Sequence, residues 1–327
     1  MACGASSLGQ TRYILEYLSP VSHIFRFGVI GCKWGLNYIR TITQHPEWEV
    51  AQVVRASGKA LPEPFERIPV SQDAGDLITG LTPCDAIIIA TPTATHYPLA
   101  TLCIEKRIPV LIEKPLCFSP SEAARLIELA DHNRITAWVD HTHLYDQSYR
   151  TFKHHVGQSR ILGINTRAGN RGPFRIDTTP SWDWLPHDIA MILDLVGLFP
   201  SEIQGELLER ARLPEGIGET HRFTMRFTNG LQSTSIVSNI MDAKCRQLRV
   251  ITDWGTCCLD PLQYNQVRWN DPHDEHAWYE RHIDSQPPLN IILQEFTQAV
   301  RAGDRSNDSL RLGRDVVSVL NHAYPTN

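Results

Sequence analysis

The chain has 327 residues, with 31 lysines and arginines against 36 aspartates and glutamates and a formal net charge of −5. Its 42% hydrophobic and 20% charged residues are typical of a soluble globular protein and exclude a collagen-like, coiled-coil or disordered chain. The acidic balance argues against nucleic acid as a partner, because nucleic acid selects a basic surface. No apolar run approaches the roughly 20 residues that cross a bilayer, so we expect no membrane association.

The cysteine pattern and the first residues indicate the compartment. The eight cysteines include no C-x-x-C pair, and several lie in apolar segments, where a free thiol packs as a small hydrophobe. This pattern is typical of a reducing compartment, so we expect a cytoplasmic protein. The first 25 residues lack the basic start and apolar run of a secretory signal. We interpret residues 1–24 as an N-terminal extension with a short helix at residues 13–18.

Strands and helices alternate, with short loops between them, from residue 25 to about residue 140. The continuous apolar run at residues 86–90 is typical of a strand that is covered on both faces. The predicted strands are residues 25–31, 49–54, 86–90, 109–113 and 136–140, and the predicted helices are residues 34–44, 99–106 and 119–132. This alternation predicts a parallel, doubly wound sheet.

The second half of the chain has a different pattern. Two alternating segments flank Asn229-Gly230, a pair that is typical of a tight β-hairpin. The predicted strands are residues 161–167, 223–227, 231–237, 247–251, 257–259 and 266–269, and the predicted helices are residues 183–196, 289–302 and 309–322. The pattern predicts an α/β domain built on an open, mostly antiparallel sheet. We therefore divide the chain into domains of residues 25–142 and 143–327.

A glycine turn connects the first predicted strand to the first helix. Its residues are Gly31, Cys32, Lys33, Trp34 and Gly35. Glycines at this point allow a tight turn and bring the backbone close to a pyrophosphate at the helix N-terminus. The turn is one residue shorter than G-x-G-x-x-G and has Lys33 where a middle glycine is usual. Nucleotide binding and a plain strand-to-helix turn therefore both remain open.

The tip of the second predicted strand bears on the type of nucleotide. No acid follows there to hold a ribose 2′-hydroxyl, and the tip instead carries Arg55 and Ser57. A guanidinium suits a 2′-phosphate, so this tip favours NADP over NAD. A solvated basic loop is the alternative.

Three ordered motifs carry a resemblance to a known family. They are Ala90-Thr91-Pro92-Thr93-Ala94-Thr95-His96, Glu113-Lys114-Pro115 and Trp182-Asp183-Trp184-Leu185-Pro186-His187-Asp188. Together they resemble the Gfo/Idh/MocA oxidoreductases, which include glucose–fructose oxidoreductase and inositol dehydrogenase. The likeness runs from about residue 25 to the end. The chain departs from the pattern in its shortened glycine turn and in Ala190, where many relatives carry an acid.

The resemblance implies a dinucleotide-binding Rossmann domain at residues 25–142 and a substrate-binding and oligomerisation domain at residues 143–327. It implies NAD(P)-dependent oxidation and reduction of sugars or cyclitols, with Thr91, Pro92 and His96 along the nicotinamide. The form of the histidine motif, with Asn170 and Arg175 before it, resembles members that act on nucleotide-linked sugars, and it makes these two residues candidate substrate contacts.

An open sheet, in turn, implies a homodimer or homotetramer. Four apolar side chains of the second domain would be left partly bare in a lone subunit, and large exposed apolar patches usually mark interfaces. They belong to Met225, Phe227, Ile236 and Val237.

The chemistry of alcohol oxidation points to three catalytic candidates. Lys114 follows a buried strand and would present a fixed cation to the developing alkoxide. Asp183 and His187 are four residues apart and so share one helix face, where His187 would exchange the hydroxyl proton. Glu113 would fix Lys114 or a ribose hydroxyl. His141 follows the last strand of the first domain and would border the substrate cleft.

Two other classes of function remain open, and a metal site is not expected. The first class is a catalytically silent relative that binds a nucleotide or sugar as a regulator, which the altered glycine turn favours. The second is a hydrolase or lyase that uses bound NAD transiently. His141 and His143 are close in sequence, but no histidine group has the spacing of a closed zinc site.

Overall fold

The structure, a computed structural model, describes residues 23–260, 262, 266–271 and 274–324. The helix expected at residues 13–18 lies outside this range. The described residues form two sheets, one parallel and one mostly antiparallel, as the sequence predicts. None of their helices is both long and apolar enough to cross a bilayer.

The N-terminal sheet has six parallel strands in the order β3-β2-β1-β4-β5-β6. The strands are β1 (Phe25–Ile30), β2 (Trp48–Val54), β3 (Val70–Ser71), β4 (Ala86–Ile89), β5 (Val110–Glu113) and β6 (Ala137–Asp140). The helices between them are α1 (Gly35–Thr43), α2 (Gly75–Ile78), α3 (His96–Glu105) and α4 (Pro120–Asn133). The strand order reverses between β1 and β4, and sheets of this kind bind ligands beyond the carboxyl ends of the strands at that point.

The C-terminal sheet has eight strands in the order β14-β13-β12-β11-β7-β10-β9-β8. They are β7 (Ile161–Arg171), β8 (Glu202–Leu213), β9 (Gly216–Arg226), β10 (Gln232–Ser238), β11 (Ile240–Thr252), β12 (Gly255–Leu259), β13 (Gln266–Asp271) and β14 (Asp274–His282). The helices are α5 (Gln147–Val156), α6 (Pro180–Val196), α7 (Pro288–Ala302) and α8 (Asp308–Ala323). The predicted hairpin is confirmed, since β9 and β10 pair antiparallel on either side of Asn229-Gly230.

The sequence analysis misses β8 and β14, and both are edge strands of this sheet. The residues of β8 are mostly exposed and frequently charged, so the strand lacks the apolar alternation that marks a buried one. Charged side chains are common on edge strands, where they oppose pairing with another chain. The other missed elements are α5 and the two short elements β3 and α2.

The last two helices return to the N-terminal domain. Ile292, Leu293 and Phe296 of α7 pack with the aromatic side chains of β1 in one core. Helix α8 contributes Val317 to the core beside α4 and Leu320 to the core of the second domain. The last helices thus pack against both domains. The domain boundary between residues 142 and 143 remains a proposal.

The expectation of bare apolar side chains on the second sheet is wrong for three residues. Met225, Phe227 and Val237 are 0%, 3% and 0% exposed, because they face the core that includes α6. Ile236 is half-buried. Arg222, which alternates with the buried residues of β9, instead pairs with Glu206 on the neighbouring strand. Met225, Phe227 and Val237 therefore do not form the apolar patch on which the predicted assembly rested.

Candidate active site

The central contact of the site joins the two domains. Lys114 directly follows β5, and its Nζ donates to the backbone oxygen of Asp183 at 2.7 Å. The same Nζ lies 3.3 Å from Asp183 Oδ1, and both side chains are mostly buried. Asp183 lies in the first turn of α6, which begins at Pro180, a residue that suits the first position of a helix. The structure thus brings the two predicted catalytic residues together.

Arg175 is the second cation on the same carboxylate. Its Nη1 lies 3.2 Å from Asp183 Oδ1, and its Nε and Nη2 bind Asp177 at 2.9 and 2.6 Å. The bond to Asp177 raises the pKa of Arg175, and the same bond lowers the pKa of Asp177. Arg175, a candidate substrate contact, is therefore held by two acids. Asn170, the other candidate substrate contact, is half-buried near the end of β7.

His187 lies one turn after Asp183 on α6. Its Nδ1 is enclosed and has no hydrogen-bond partner among the described residues. Burial, with Lys114 as the next cause, holds the pKa of His187 well below its usual value. The imidazole is therefore neutral at physiological pH, the form that accepts a proton.

Two more histidines surround His187. The ring of His143 lies 4.7 Å from that of His187 in an edge-to-face arrangement, and burial lowers the pKa of His143 strongly. His141 is 2% exposed, and burial lowers its pKa to about 3. The sequence analysis weighs His143 only as a metal ligand. Its place beside His187 depends on the turn after β6, which no local sequence pattern predicts. Across the described residues, no three ligand side chains are grouped so as to hold a metal ion.

A buried ion pair holds α6 against the second sheet. Asp188, next to His187, accepts a hydrogen bond from Thr166 at 2.8 Å and lies 3.4 Å from Arg246. The Arg246 guanidinium also lies over the ring of Trp184, 5.3 Å from its centre. Sequence analysis missed Arg246, because an arginine in an alternating strand is ordinarily a solvated side chain.

The glycine turn lies beyond the end of β1, where the strand order of the sheet reverses. Gly31 has a φ of +101°, and a Cβ there would lie 2.3 Å from the backbone oxygen of Ala90. Only glycine fits this position. Cys32 is half-buried, Lys33 and Trp34 are exposed, and α1 begins at Gly35 with no acid in its first turn. The turn thus presents an open helix N-terminus, which suits the pyrophosphate of a dinucleotide.

The loop after β4 carries Thr91, Pro92 and His96, the three residues that are expected to lie along the nicotinamide. Thr91 accepts a hydrogen bond from Thr95 at 2.6 Å, and Pro92 begins the short turn that leads into α3. His96 is 1% exposed, and its two ring nitrogens contact the backbone oxygens of Thr91 and Pro115, each at 2.9 Å. His96 therefore braces two loops of the cleft and does not itself line an open edge.

The candidate contacts for a 2′-phosphate lie at the tip of β2. Arg55 Nη1 donates to the backbone oxygens of Lys59 and Ala60 at 3.2 and 2.9 Å. The exposed Ser57 hydroxyl lies 3.4 Å from the backbone nitrogen of Lys59. Within the part of the chain that the structure describes, Arg55 forms no ion pair. Arg55 thus stabilises the loop that follows β2, and its positive charge remains available at the end of that strand.

Glu113 faces the interior of its domain. It is 7% exposed, and its two carboxylate oxygens bind the Tyr38 hydroxyl at 2.6 Å and the Lys114 backbone nitrogen at 3.1 Å. The expectation that Glu113 holds a ribose hydroxyl therefore does not fit the structure, whereas the expectation that it fixes Lys114 does. Tyr38 was missed, because a tyrosine on the apolar face of a helix ordinarily packs in a core.

Comparisons with known proteins agree with this geometry. Residues 25–141 match the Gfo/Idh/MocA family, described as an oxidoreductase family with an NAD-binding Rossmann fold. The chain superposes on a putative oxidoreductase from Magnetospirillum magnetotacticum MS-1 with a TM-score of 0.81 and 29% identity, covering 91% of this chain and 99% of that one.

Two curated relatives match over part of their length. Inositol 2-dehydrogenase 1 of Saccharopolyspora erythraea is 33% identical over 138 residues, which are 39% of this chain and 40% of that protein. The putative oxidoreductase YceM of Salmonella typhimurium is 26% identical over 58% of this chain and 59% of that protein. The chain therefore matches only about half of the length of these relatives.

The close approach of Gly31 to the backbone of Ala90 gives a first prediction, for which Gly80 provides a matched control. Both glycines have positive φ, +101° and +80°, but a Cβ at Gly80 would meet nothing within 4 Å. We expect Gly80→Ala to cost about 1–2 kcal/mol through backbone strain alone. Gly31→Ala should lower the free energy of unfolding, measured in urea, by clearly more, because its Cβ also meets Ala90. Equal losses in the two variants would contradict the close approach.

Proposed function

We propose that this chain, which matches the Gfo/Idh/MocA oxidoreductase family over residues 25–141, is a member of it and transfers a hydride between a nicotinamide cofactor and a secondary hydroxyl of a sugar, cyclitol or nucleotide-linked sugar. The observation that carries the proposal is the contact of Lys114 with Asp183. It places a strand-end cation of the nucleotide-binding domain against the helix that carries His187. The regulator and the hydrolase or lyase alternatives gain no support from the comparisons.

The residues around the glycine turn fit a dinucleotide. Gly31 lets the turn pass close to the backbone of Ala90, where no side chain would fit, and the start of α1 at Gly35 offers backbone donors for a pyrophosphate. Lys33 adds a cation, and the Thr91-Pro92 loop borders the same edge of the sheet. A bound nicotinamide would accept or donate the hydride.

Lys114 stabilises the oxygen that gains negative charge during the reaction. Its ammonium group is held by two oxygens of Asp183, so little reorganisation is needed when the alkoxide develops. Asp183 positions this group and is itself held by Arg175. A carboxylate shared by two cations is fixed in place, and it also offers an acceptor for a sugar hydroxyl.

His187 exchanges the hydroxyl proton. Because its Nδ1 is enclosed by protein, we assign the exchange to the other ring nitrogen, Nε2. The neutral imidazole accepts the proton during oxidation and returns it during reduction. His141 and His143 border it, and burial lowers the pKa values of both.

Arg55, Asn170 and Arg175 bear on the finer features of the proposed function. The positive tip of β2 at Arg55 supports a preference for NADP over NAD, and Asn170 and Arg175 support a polar small-molecule substrate at the second domain. We retain the cytoplasmic location and the homodimer or homotetramer as proposals. The solvent-facing side of the second sheet is the surface on which such an assembly would form.

Removing the lysine tests the proposed chemistry. We expect Lys114→Ala to lower kcat by about 100-fold or more and to leave the Kd of the cofactor little changed, because the lysine acts on the reacting oxygen. Lys106→Ala, an exposed lysine at the end of α3, is the control and should keep the full rate. A near-normal kcat in Lys114→Ala, on any accepted substrate, would show that the assignment is wrong.

The lowered pKa of His187 predicts an unusual pH profile. A histidine with an ordinary pKa of about 6.5 loses its basic form as the pH falls through that value. Because burial lowers the pKa of His187 well below it, the basic form persists. The kcat/KM for alcohol oxidation should therefore show no acidic limb between about pH 6 and pH 7. A limb centred near pH 6.5 that disappears in His187→Asn would contradict the buried neutral base.

The charge at Arg55 predicts the choice of cofactor. A charge-assisted hydrogen bond to a 2′-phosphate contributes about 1.5–3 kcal/mol, or about one to two decades of affinity. Calorimetric titration of ligand-free protein should give a lower Kd for NADP than for NAD, and Arg55→Ala should remove the difference. Lys33→Ala should weaken both alike, since the pyrophosphate is common to them. Tighter binding of NAD by the unmodified protein would exclude the role of Arg55.

A further inference from the structure

We propose that Tyr38, Glu113 and Asp140 form a buried cluster that holds one proton between two carboxyl groups and thereby positions Lys114. Tyr38 lies on α1, Glu113 ends β5, and Asp140 ends β6. Glu113 and Asp140 are register partners on adjacent strands. The cluster therefore lies directly behind the lysine, at the same edge of the sheet as the glycine turn.

Every oxygen of the cluster has a partner. The Tyr38 hydroxyl lies 2.6 Å from Glu113 Oε1 and is also hydrogen-bonded to Asp140 Oδ2. Glu113 Oε2 accepts from the Lys114 backbone nitrogen at 3.1 Å, and Asp140 Oδ1 accepts from the Thr142 hydroxyl at 2.6 Å. Tyr38 and Asp140 are 0% exposed and Glu113 is 7% exposed.

Counting hydrogens requires an additional proton. A phenol carries one hydrogen and can donate to only one of the two carboxyl oxygens that it contacts. The second short contact needs a hydrogen from a carboxyl group, because otherwise two oxygens would face each other with lone pairs alone. One of the two acids is therefore protonated, and the cluster carries one negative charge. Burial and the charge of Asp140 raise the pKa of Glu113 to about 8, and burial also raises the pKa of Asp140.

The groups around the cluster favour this single charge. The Lys114 ammonium lies close enough to lower the pKa of both acids, although burial outweighs it. From the turn after β6, Tyr145 also faces Asp140, and burial followed by the Asp140 charge raises the pKa of Tyr145. Helix α1 contributes Tyr38, an uncharged phenol. One cation thus faces one shared negative charge, whereas a doubly ionised pair would leave a charge uncompensated in the interior.

The cluster joins three loops of the cleft through one phenol. Tyr38 is three residues after Gly35 on α1, Glu113 holds the backbone of Lys114, and Asp140 precedes the turn that carries His141 and His143. Loss of the shared proton would separate the two carboxylates and move the backbone from which Lys114 reaches Asp183. This positioning effect rests on the proposed function, whereas the shared proton itself does not.

Infrared spectroscopy of the full chain tests the shared proton without any substrate. At pH 7 the unmodified protein should show the carbonyl band of a protonated carboxylic acid that is absent in both Glu113→Gln and Asp140→Asn. Each substitution leaves a single acid that ionises beside the Tyr38 hydroxyl. Tyr149→Phe is the matched control, because Tyr149 is another buried tyrosine that donates to a carboxylate, Asp194, at 2.7 Å. It should keep the band. Identical spectra of the unmodified protein and both cluster variants would overturn the proposal.

The pH dependence of the reaction tests the positioning effect. As the pH rises through about 8, the shared proton is lost, so kcat of the unmodified protein should fall. In Asp140→Asn this alkaline fall should disappear, whereas Tyr149→Phe should retain it. KM should change less than kcat, because Lys114 acts on the reacting oxygen. An infrared band that behaves as expected, combined with an unchanged pH profile in Asp140→Asn, would overturn the positioning of Lys114.

Discussion

The contact between Lys114 and Asp183 is the interaction on which the cleft depends. It is made between the end of a parallel strand and the first turn of a helix from the other domain, so it exists only when the two sheets are in their observed places. Helix α8 holds them there, since its apolar side chains enter a core on each side, and α7 packs in the core around β1. The packing of α8, near the end of the chain, thus determines whether Lys114 reaches Asp183.

Electrostatics divides the cleft into charged and neutral groups. Lys114 and Arg175 are close to a carboxylate, and they lie where the resemblance implies that substrate oxygens bind. The histidines beside them are buried and their pKa values are low, because desolvation and the neighbouring cations oppose a further positive charge. A fixed cation and a neutral base are the two protein groups that reversible alcohol oxidation needs.

The sequence predicted the parts of the fold that have strong periodicity, together with the motif residues that follow strands. Lys114 follows a buried strand, Asp183 and His187 share a helix face, and the family resemblance of their motifs identified all three as catalytic candidates. The pairing of Tyr38 with Asp140 was not predicted. The two residues are 102 positions apart, and only the packing of α1 against the sheet brings them together. Asp140 did offer a signal, since an acid at the end of an apolar strand must find a partner when it is buried. The inward orientations of Glu113 and His96 also depend on tertiary contacts that no local pattern encodes.

Binding of reduced nicotinamide dinucleotide by the purified, ligand-free chain tests the central claim most directly. The fluorescence of the reduced nicotinamide is measured as protein is titrated into NADPH and, separately, into NADH. Our account predicts a saturable change for at least one of them, because it assigns the dinucleotide to the turn at Gly31 and the start of α1. Absence of saturable binding for both, in protein shown to be folded by its cooperative unfolding, would contradict it.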